Sequence, residues 1–96
     1  MTDLIFEWDR GKAEASRRKH GIDFNEALTV FRDPFASIRP DPRHSVWEER
    51  HVILGCSQRG RLLIVMFTER AEGRVRLFSA RRATPTERRM HEEKAR

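Results

Sequence analysis

Arg61-Leu62-Leu63-Ile64-Val65-Met66-Phe67-Thr68, joined by Arg70-Ala71-Glu72-Gly73 to Arg74-Val75-Arg76-Leu77-Phe78-Ser79-Ala80, is the stretch that decides the fold class. Leu62 to Phe67 is apolar at every position, which suits a central strand covered on both faces. Arg74-Val75-Arg76-Leu77 alternates as a half-exposed strand does, so one face of the sheet presents arginines. A third candidate, Glu49 to Ser57, precedes these two across Gln58-Arg59-Gly60. Both connections contain glycine and fit hairpins, so Glu49 to Ser57, Arg61 to Thr68 and Arg74 to Ala80 predict an antiparallel meander.

Towards the N-terminus, Leu4-Ile5-Phe6-Glu7-Trp8 reads as a short strand and Asp9 as the N-cap of a helix through Lys12 to His20, closed by Gly21 at the left-handed C′ position. The apolar face of that helix is thin, which places it on the surface. Asp23 and Glu26 have capping-box spacing, and Phe24, Ala27, Leu28 and Phe31 recur at helical spacing before Asp33-Pro34 stops the run, so this is the expected core helix. An edge strand at Ala36-Ser37-Ile38 leads into an exposed loop closed by Pro40 and Pro42. At the other end, Thr84-Pro85-Thr86-Glu87 combines an N-cap, a first-turn proline and a capping-box glutamate. A last helix is expected from Pro85 towards Lys94, with only Met90 and Ala95 apolar on it. Residues 1–96 form a single α+β domain, since a chain this short has room for one modest core.

The 96 residues carry 20 Lys and Arg against 15 Asp and Glu, a formal net charge of +5. Such a field attracts polyanions, and nucleic acid or an acidic protein partner would satisfy it equally. Cys56 is the only cysteine, which excludes an internal disulfide or a cysteine-rich metal site, and its apolar strand implies inert packing. No run approaches the roughly 20 apolar residues of a membrane span. Met1 to Arg10 carries Asp3, Glu7 and Asp9 where a signal peptide needs a basic and then apolar run. A cytoplasmic protein without membrane contact is expected.

The densest candidate cluster is Ser79-Ala80-Arg81-Arg82 at the end of the last strand, with Arg74 and Arg76 earlier on it. Arginine's planar fork suits phosphate oxygens, so these residues fit either a phosphodiester site or a solvated edge strand. Lys19-His20 fits favourable cations at a helix C-terminus, or a phosphate contact and a proton carrier. Asp41, His44, Glu48, Glu49 and Arg50 supply the acid, base and cation that RNA hydrolysis needs, although these types are common. Asp41, His44 and Glu48 lack a recognised metal-ligand spacing, and no metal is expected. Trp8 fits the core, while Trp47 sits among charges and is the better candidate for a base contact. Neither a phosphate-cradling glycine loop nor a Ser-His-Asp arrangement is present.

An ordered series of short motifs resembles the BrnT toxin family. It comprises Phe6-Glu7-Trp8-Asp9 with Lys12, Lys19-His20-Gly21-Ile22, Phe24, Glu26-Ala27, Val30-Phe31, Asp33-Pro34, Asp41, His44-Ser45 and Glu49-Arg50. It continues with Gly55, Arg61, Thr68-Glu69-Arg70, Arg76, Ser79-Ala80-Arg81, Ala83 and Glu87. The resemblance covers nearly the whole chain. It implies a RelE-like fold, a compact antiparallel sheet with flanking N-terminal helices and a C-terminal helix. The implied activity is endoribonuclease cleavage without metal or other cofactor, arresting translation. The implied partner is a BrnA-type antitoxin in a two-plus-two heterotetramer, with operator DNA reached only through the antitoxin. By position, Lys19, Arg70, Arg76 and Arg81 match the family's basic residues at the RNA site, Arg82 is their neighbour, and His20, His44 and Glu49 match motif positions. Arg50 and Trp47 join them as candidate RNA contacts. The chain departs from the family at Ser16, where Asn is frequent, and at Met90, where Tyr is frequent. The alternative from another class is a non-catalytic basic module that binds RNA or a protein; a cut strand separates the two.

Overall fold

The all-apolar run becomes the middle strand. The computed structural model describes residues 3–94. Its strands are β1 (Ile5–Trp8), β2 (Ser37–Pro40), β3 (His51–Cys56), β4 (Leu62–Arg70) and β5 (Arg74–Arg82), in one five-stranded sheet of order β1-β5-β4-β3-β2. β3, β4 and β5 form the expected antiparallel meander, with Ile53 opposite Val65 and Ile64 opposite Arg81. β2 adds antiparallel to β3 and ends on Pro40, two residues beyond the expected edge strand; on an edge, a missing N–H costs no ladder bond.

β1 adds one parallel pairing to the otherwise antiparallel sheet. It pairs parallel with β5, Phe6 opposite Val75 and Trp8 opposite Leu77. Parallel partners need a long crossover. Here the whole intervening chain supplies it, so no local signal announces the pairing.

α1 (Arg10–His20) has the expected caps: Asp9 accepts the N–H of Lys12, and Gly21 sits at φ 71 with its N–H on the Arg17 carbonyl. Only Ser16 is buried on it, as a surface helix requires. The core lies between the sheet and the following segment, where Ile22, Phe24, Ala27 and Val30 meet Ile53, Leu63, Val65, Phe67, Val75, Leu77 and Ala80. Trp8 packs edge-on against Phe24 at 5.7 Å, and Phe31 lies between Phe6 and Phe67 at 5.0 and 4.9 Å.

The expected core helix is shorter than its periodicity implies. α2 covers only Phe24–Ala27, and Leu28–Arg32 continues as a 3₁₀ turn. Glu26 does not complete a capping box; its carboxylate is 4% exposed, accepts from Arg61 Nε at 2.9 Å and Ser57 Oγ at 2.6 Å, and also pairs with the Arg61 terminal nitrogen. Thr29 Oγ1 donates to the Glu26 carbonyl, a local bond that competes with a continuing α-helix.

α3 (Pro85–Lys94) starts at the expected reciprocal cap: the Thr84 N–H donates to Glu87 Oε1 at 2.8 Å and the Glu87 N–H to Thr84 Oγ1 at 3.1 Å. Met90 is 51% exposed, and Ala95, also expected on this helix, lies outside the described residues. Cys56 corrects the buried-packing expectation: it is exposed at the end of β3, where its N–H binds Asp33. No helix among the described residues is long and apolar enough to cross a membrane.

Candidate functional site

β5 changes what it presents halfway along. Met66 of β4 faces Ser79 but Phe67 faces Leu77, so Phe78 is an inserted residue, a β-bulge. Leu77 and Ala80 are both buried although three positions apart. In an unbroken strand that spacing would send them to opposite faces. The insertion keeps both in the core, and Phe78 itself stands outside the core cluster.

β1 stops at Trp8, level with Leu77, so beyond that point the edge of β5 away from β4 has no strand beside it. α1 runs there instead, held by Ser16 Oγ, which donates to the Ala80 carbonyl at 3.0 Å. Ser16 thus makes an interior contact from a surface helix. Between α1 and the bulge lies an open groove of about 290 Å³ lined by Lys12, Lys19, His20, Phe78 and Ser79. The Arg50 guanidinium lies 3.8 Å from the Phe78 ring centre and Lys12 Nζ lies 5.6 Å from it, both within cation–π range.

From Arg50 a line of charges continues across β4, β5 and β1. Glu48 lies 3.9 Å from Arg50 and 3.5 Å from Arg70; Glu7 lies 3.6 Å from Arg70 and 2.8 Å from Arg74. Arg76 stands opposite Glu7 in the ladder. The hydrogen bond from Arg74, aided by the charges of Arg74, Arg70 and Arg76, holds the Glu7 carboxyl below the usual carboxylate range. The Arg76 side chain has no hydrogen-bond or ion-pair partner among the described residues, whereas Arg74 takes Glu7.

The remaining candidates stand apart from this groove in different ways. Arg81, on the same face of β5 as Arg76, is committed to α3: its two terminal nitrogens each donate to one Glu87 oxygen at 2.9 Å. This hydrogen-bonded pair, with the Thr84 N–H, pulls the Glu87 pKa down to about 2 and raises that of Arg81. Arg82 is exposed at the strand end. His44 Nδ1 is paired with Asp41 at 2.8 Å in the exposed loop. Ser45 Oγ accepts the Arg50 N–H at 2.9 Å, and Thr68 Oγ1 donates to the Glu49 carbonyl at 2.6 Å, tying the loop base to the sheet. Trp47 projects from that loop 96% exposed. Glu49 is exposed beside Arg50.

Phe78, Lys12 and Glu7 were not among the expected site residues. Phe78 did carry a signal: Leu77-Phe78 breaks the alternation of Arg74 to Leu77, as an inserted residue must. The other two are ordinary charges until the crossing of α1 brings Lys12 to the Phe78 ring and the parallel pairing of β1 sets Glu7 against Arg70 and Arg74. No three His, Cys, Asp or Glu side chains converge as a metal set among the described residues.

Fold and site together define a small α+β protein whose sheet edge, helix and loop converge on a cationic, aromatic groove. Residues 8–87 match the family model of the ribonuclease toxin BrnT of type II toxin-antitoxin systems, and the chain belongs to that family. The 1.1 Å crystal structure of the Brucella abortus ribonuclease toxin BrnT shares its fold, with a TM-score of 0.64 and 21% identity over 88% of this chain and 99% of that one. No curated protein matches the sequence.

Proposed function

We propose that the chain is an endoribonuclease that cleaves RNA by attack of the 2′-oxygen on the adjacent phosphorus, without a metal. The observation that carries this reading is the groove lined by Lys12, Lys19, His20 and Phe78, with Arg50 held against the Phe78 ring. Transesterification needs a base for the 2′-hydroxyl proton, an acid for the leaving 5′-oxygen and cations for the phosphorane charge. Arg50, Arg76 and Lys19 supply the cations, with Arg70 alongside them held by Glu48 and Glu7. His20, which lines the groove with Phe78, and Glu49, the chain neighbour of Arg50, carry the protons. Arg81 acts through α3, since Glu87 occupies its fork. His44 and Trp47 sit on the loop that delivers Glu49 and Arg50 and engage the flanking nucleotides, with Arg82 extending the cationic margin. Guanidinium groups already provide the positive charge that a metal would otherwise contribute, which supports a metal-free reaction.

In the cell, this activity stops translation, acting in the cytoplasm. A BrnA-type antitoxin neutralises it by covering the basic face in a two-plus-two heterotetramer, and operator DNA is reached through the antitoxin. Family membership supports this pairing.

The test is incubation of purified protein with RNA, with and without a chelator, followed by end analysis. Cleavage to 2′,3′-cyclic phosphate and 5′-hydroxyl ends that survives chelation is expected, with Arg76→Ala reducing the rate by ~10²-fold or more. Activity lost to the chelator and restored by a divalent ion overturns the metal-free mechanism. RNA bound but left intact identifies a binding module instead.

A further inference from the structure

We propose that Phe78 is a positioning residue: presented by its bulge, its ring holds the Arg50 guanidinium as a clamp for an RNA phosphate. The inference deepens the ribonuclease reading above and rests on it.

Arg50, like Arg76, lacks the close carboxylate that other arginines of the sheet have. Arg74 has a carboxylate oxygen at 2.8 Å and Arg81 has two at 2.9 Å, whereas the nearest carboxylate to Arg50 is Glu48 at 3.9 Å, beyond hydrogen-bond range. Its Nε is buried and finds no acceptor among the described residues. A buried donor without an acceptor is costly, and such groups in native proteins call for an explanation. Here the side chain is held by the Phe78 ring, 3.8 Å from the guanidinium carbon. A contact with a ring uses none of the guanidinium's N–H donors, and its terminal nitrogens are the atoms that bind phosphate oxygens.

The ring has a second cation near it, Lys12 Nζ at 5.6 Å. Two cations drawn to one ring, with no carboxylate within hydrogen-bond distance of Arg50, describe a place arranged for an anion from outside. Phe78 is not a member of the core cluster, so its ring is not needed to close the interior. A leucine at 78 would supply comparable apolar bulk but no negative π face. The inserted residue therefore positions Arg50 through electrostatics.

The experiment measures binding of a 2′-O-methyl RNA, which cannot be cleaved, across a salt series. The proteins are wild type, Arg50→Ala, Phe78→Leu, the double variant, and a protein with pentafluorophenylalanine at 78. The last keeps the ring's shape and reverses its face charge, so it tests the proposal even if Phe78→Leu fails to fold. Arg50→Ala should weaken binding about tenfold or more and lower the salt slope by about 0.7, one phosphate contact on a single strand. Phe78→Leu and the fluorinated ring should each weaken binding about three- to tenfold and lower the slope in the same direction. In the Arg50→Ala background Phe78→Leu should add nothing. If Arg50→Ala binds as wild type does, the assignment of RNA to this groove fails. If Arg50→Ala is impaired but the ring variants are not, or if the Phe78→Leu loss is undiminished without Arg50, the positioning role is overturned while the RNA site stands.

Discussion

Two glutamates in this chain have the same local pattern and opposite fates. Asp23-x-x-Glu26 and Thr84-x-x-Glu87 both have capping-box spacing, yet only Glu87 returns to its N-cap N–H. Glu26 is taken by Arg61 and Ser57, more than thirty positions away, with Arg59 at 3.9 Å. Removing one partner of a buried pair leaves the other desolvated and unpaired, which typically costs ~3–5 kcal/mol. Arg61 is 23% exposed at its side chain, so water recovers part of that, and Glu26→Ala is expected to lose about 3 kcal/mol in urea unfolding. A loss below about 0.5 kcal/mol would mean that the pair behaves as a surface contact. At this scale the sequence was legible in residue type and spacing. It was silent on which distant side chain would claim the carboxylate, because a guanidinium fork outcompetes a local N–H only when the fold delivers it.

Among the elements, the seam between β3 and the 3₁₀ turn Leu28–Arg32 depends on Gly55. A Cβ there would lie 2.8 Å from the Ala36 Cβ, 3.0 Å from Asp33 Oδ2 and 3.1 Å from Val30 Cγ1. The Asp33 carboxylate is already fixed by the N–H groups of Phe35 and Cys56, so it has little room to retreat. Gly55→Ala is therefore expected to destabilise by about 1–3 kcal/mol as overpacking, read as a lower thermal midpoint. An unchanged midpoint would show that the turn can withdraw from the strand at no cost. The strands were readable from periodicity, including the central position of Leu62 to Phe67. The 3₁₀ continuation after Ala27 was not, because apolar residues three and four apart suit either helix type and side-chain bonds such as Thr29 to Glu26 decide between them.

For the whole molecule, acid is the perturbation that the ion pairs predict. Glu7, Glu26 and Glu87 all have carboxyls lowered by arginine partners, Glu87 to about 2. A carboxylate with a depressed folded-state pKa stabilises the fold fully above its unfolded value, near 4.5, and loses that contribution as pH falls through the folded value. Thermal stability is therefore expected to be level above about pH 5 and to fall progressively towards pH 2. Glu87→Gln should be less stable near neutrality and show a shallower fall, since its amide cannot titrate. A midpoint that rises on acidification would contradict the sign of all three pairs. The Glu87 arm should show first as loosening of α3, because the Arg81–Glu87 pair is its clearest tie to the sheet.

By itself the sequence determined the local events: the strand periodicities, the caps at Asp9, Gly21 and Thr84, the arginine-bearing strand and the family to which the motifs belong. These depend on residues close together in the chain, where backbone geometry alone sets the outcome. Only the tertiary structure decided that β1 lies parallel to β5, that α1 covers the edge beyond Trp8, and that Phe78 is the inserted residue beside Arg50. It also decided which arginines are neutralised, Arg81 by Glu87 and Arg74 by Glu7, and which present uncommitted donors. The reason is one of range: an arginine's partner is set by the few ångströms around its fork, and those neighbours are brought there by pairings that span most of the chain.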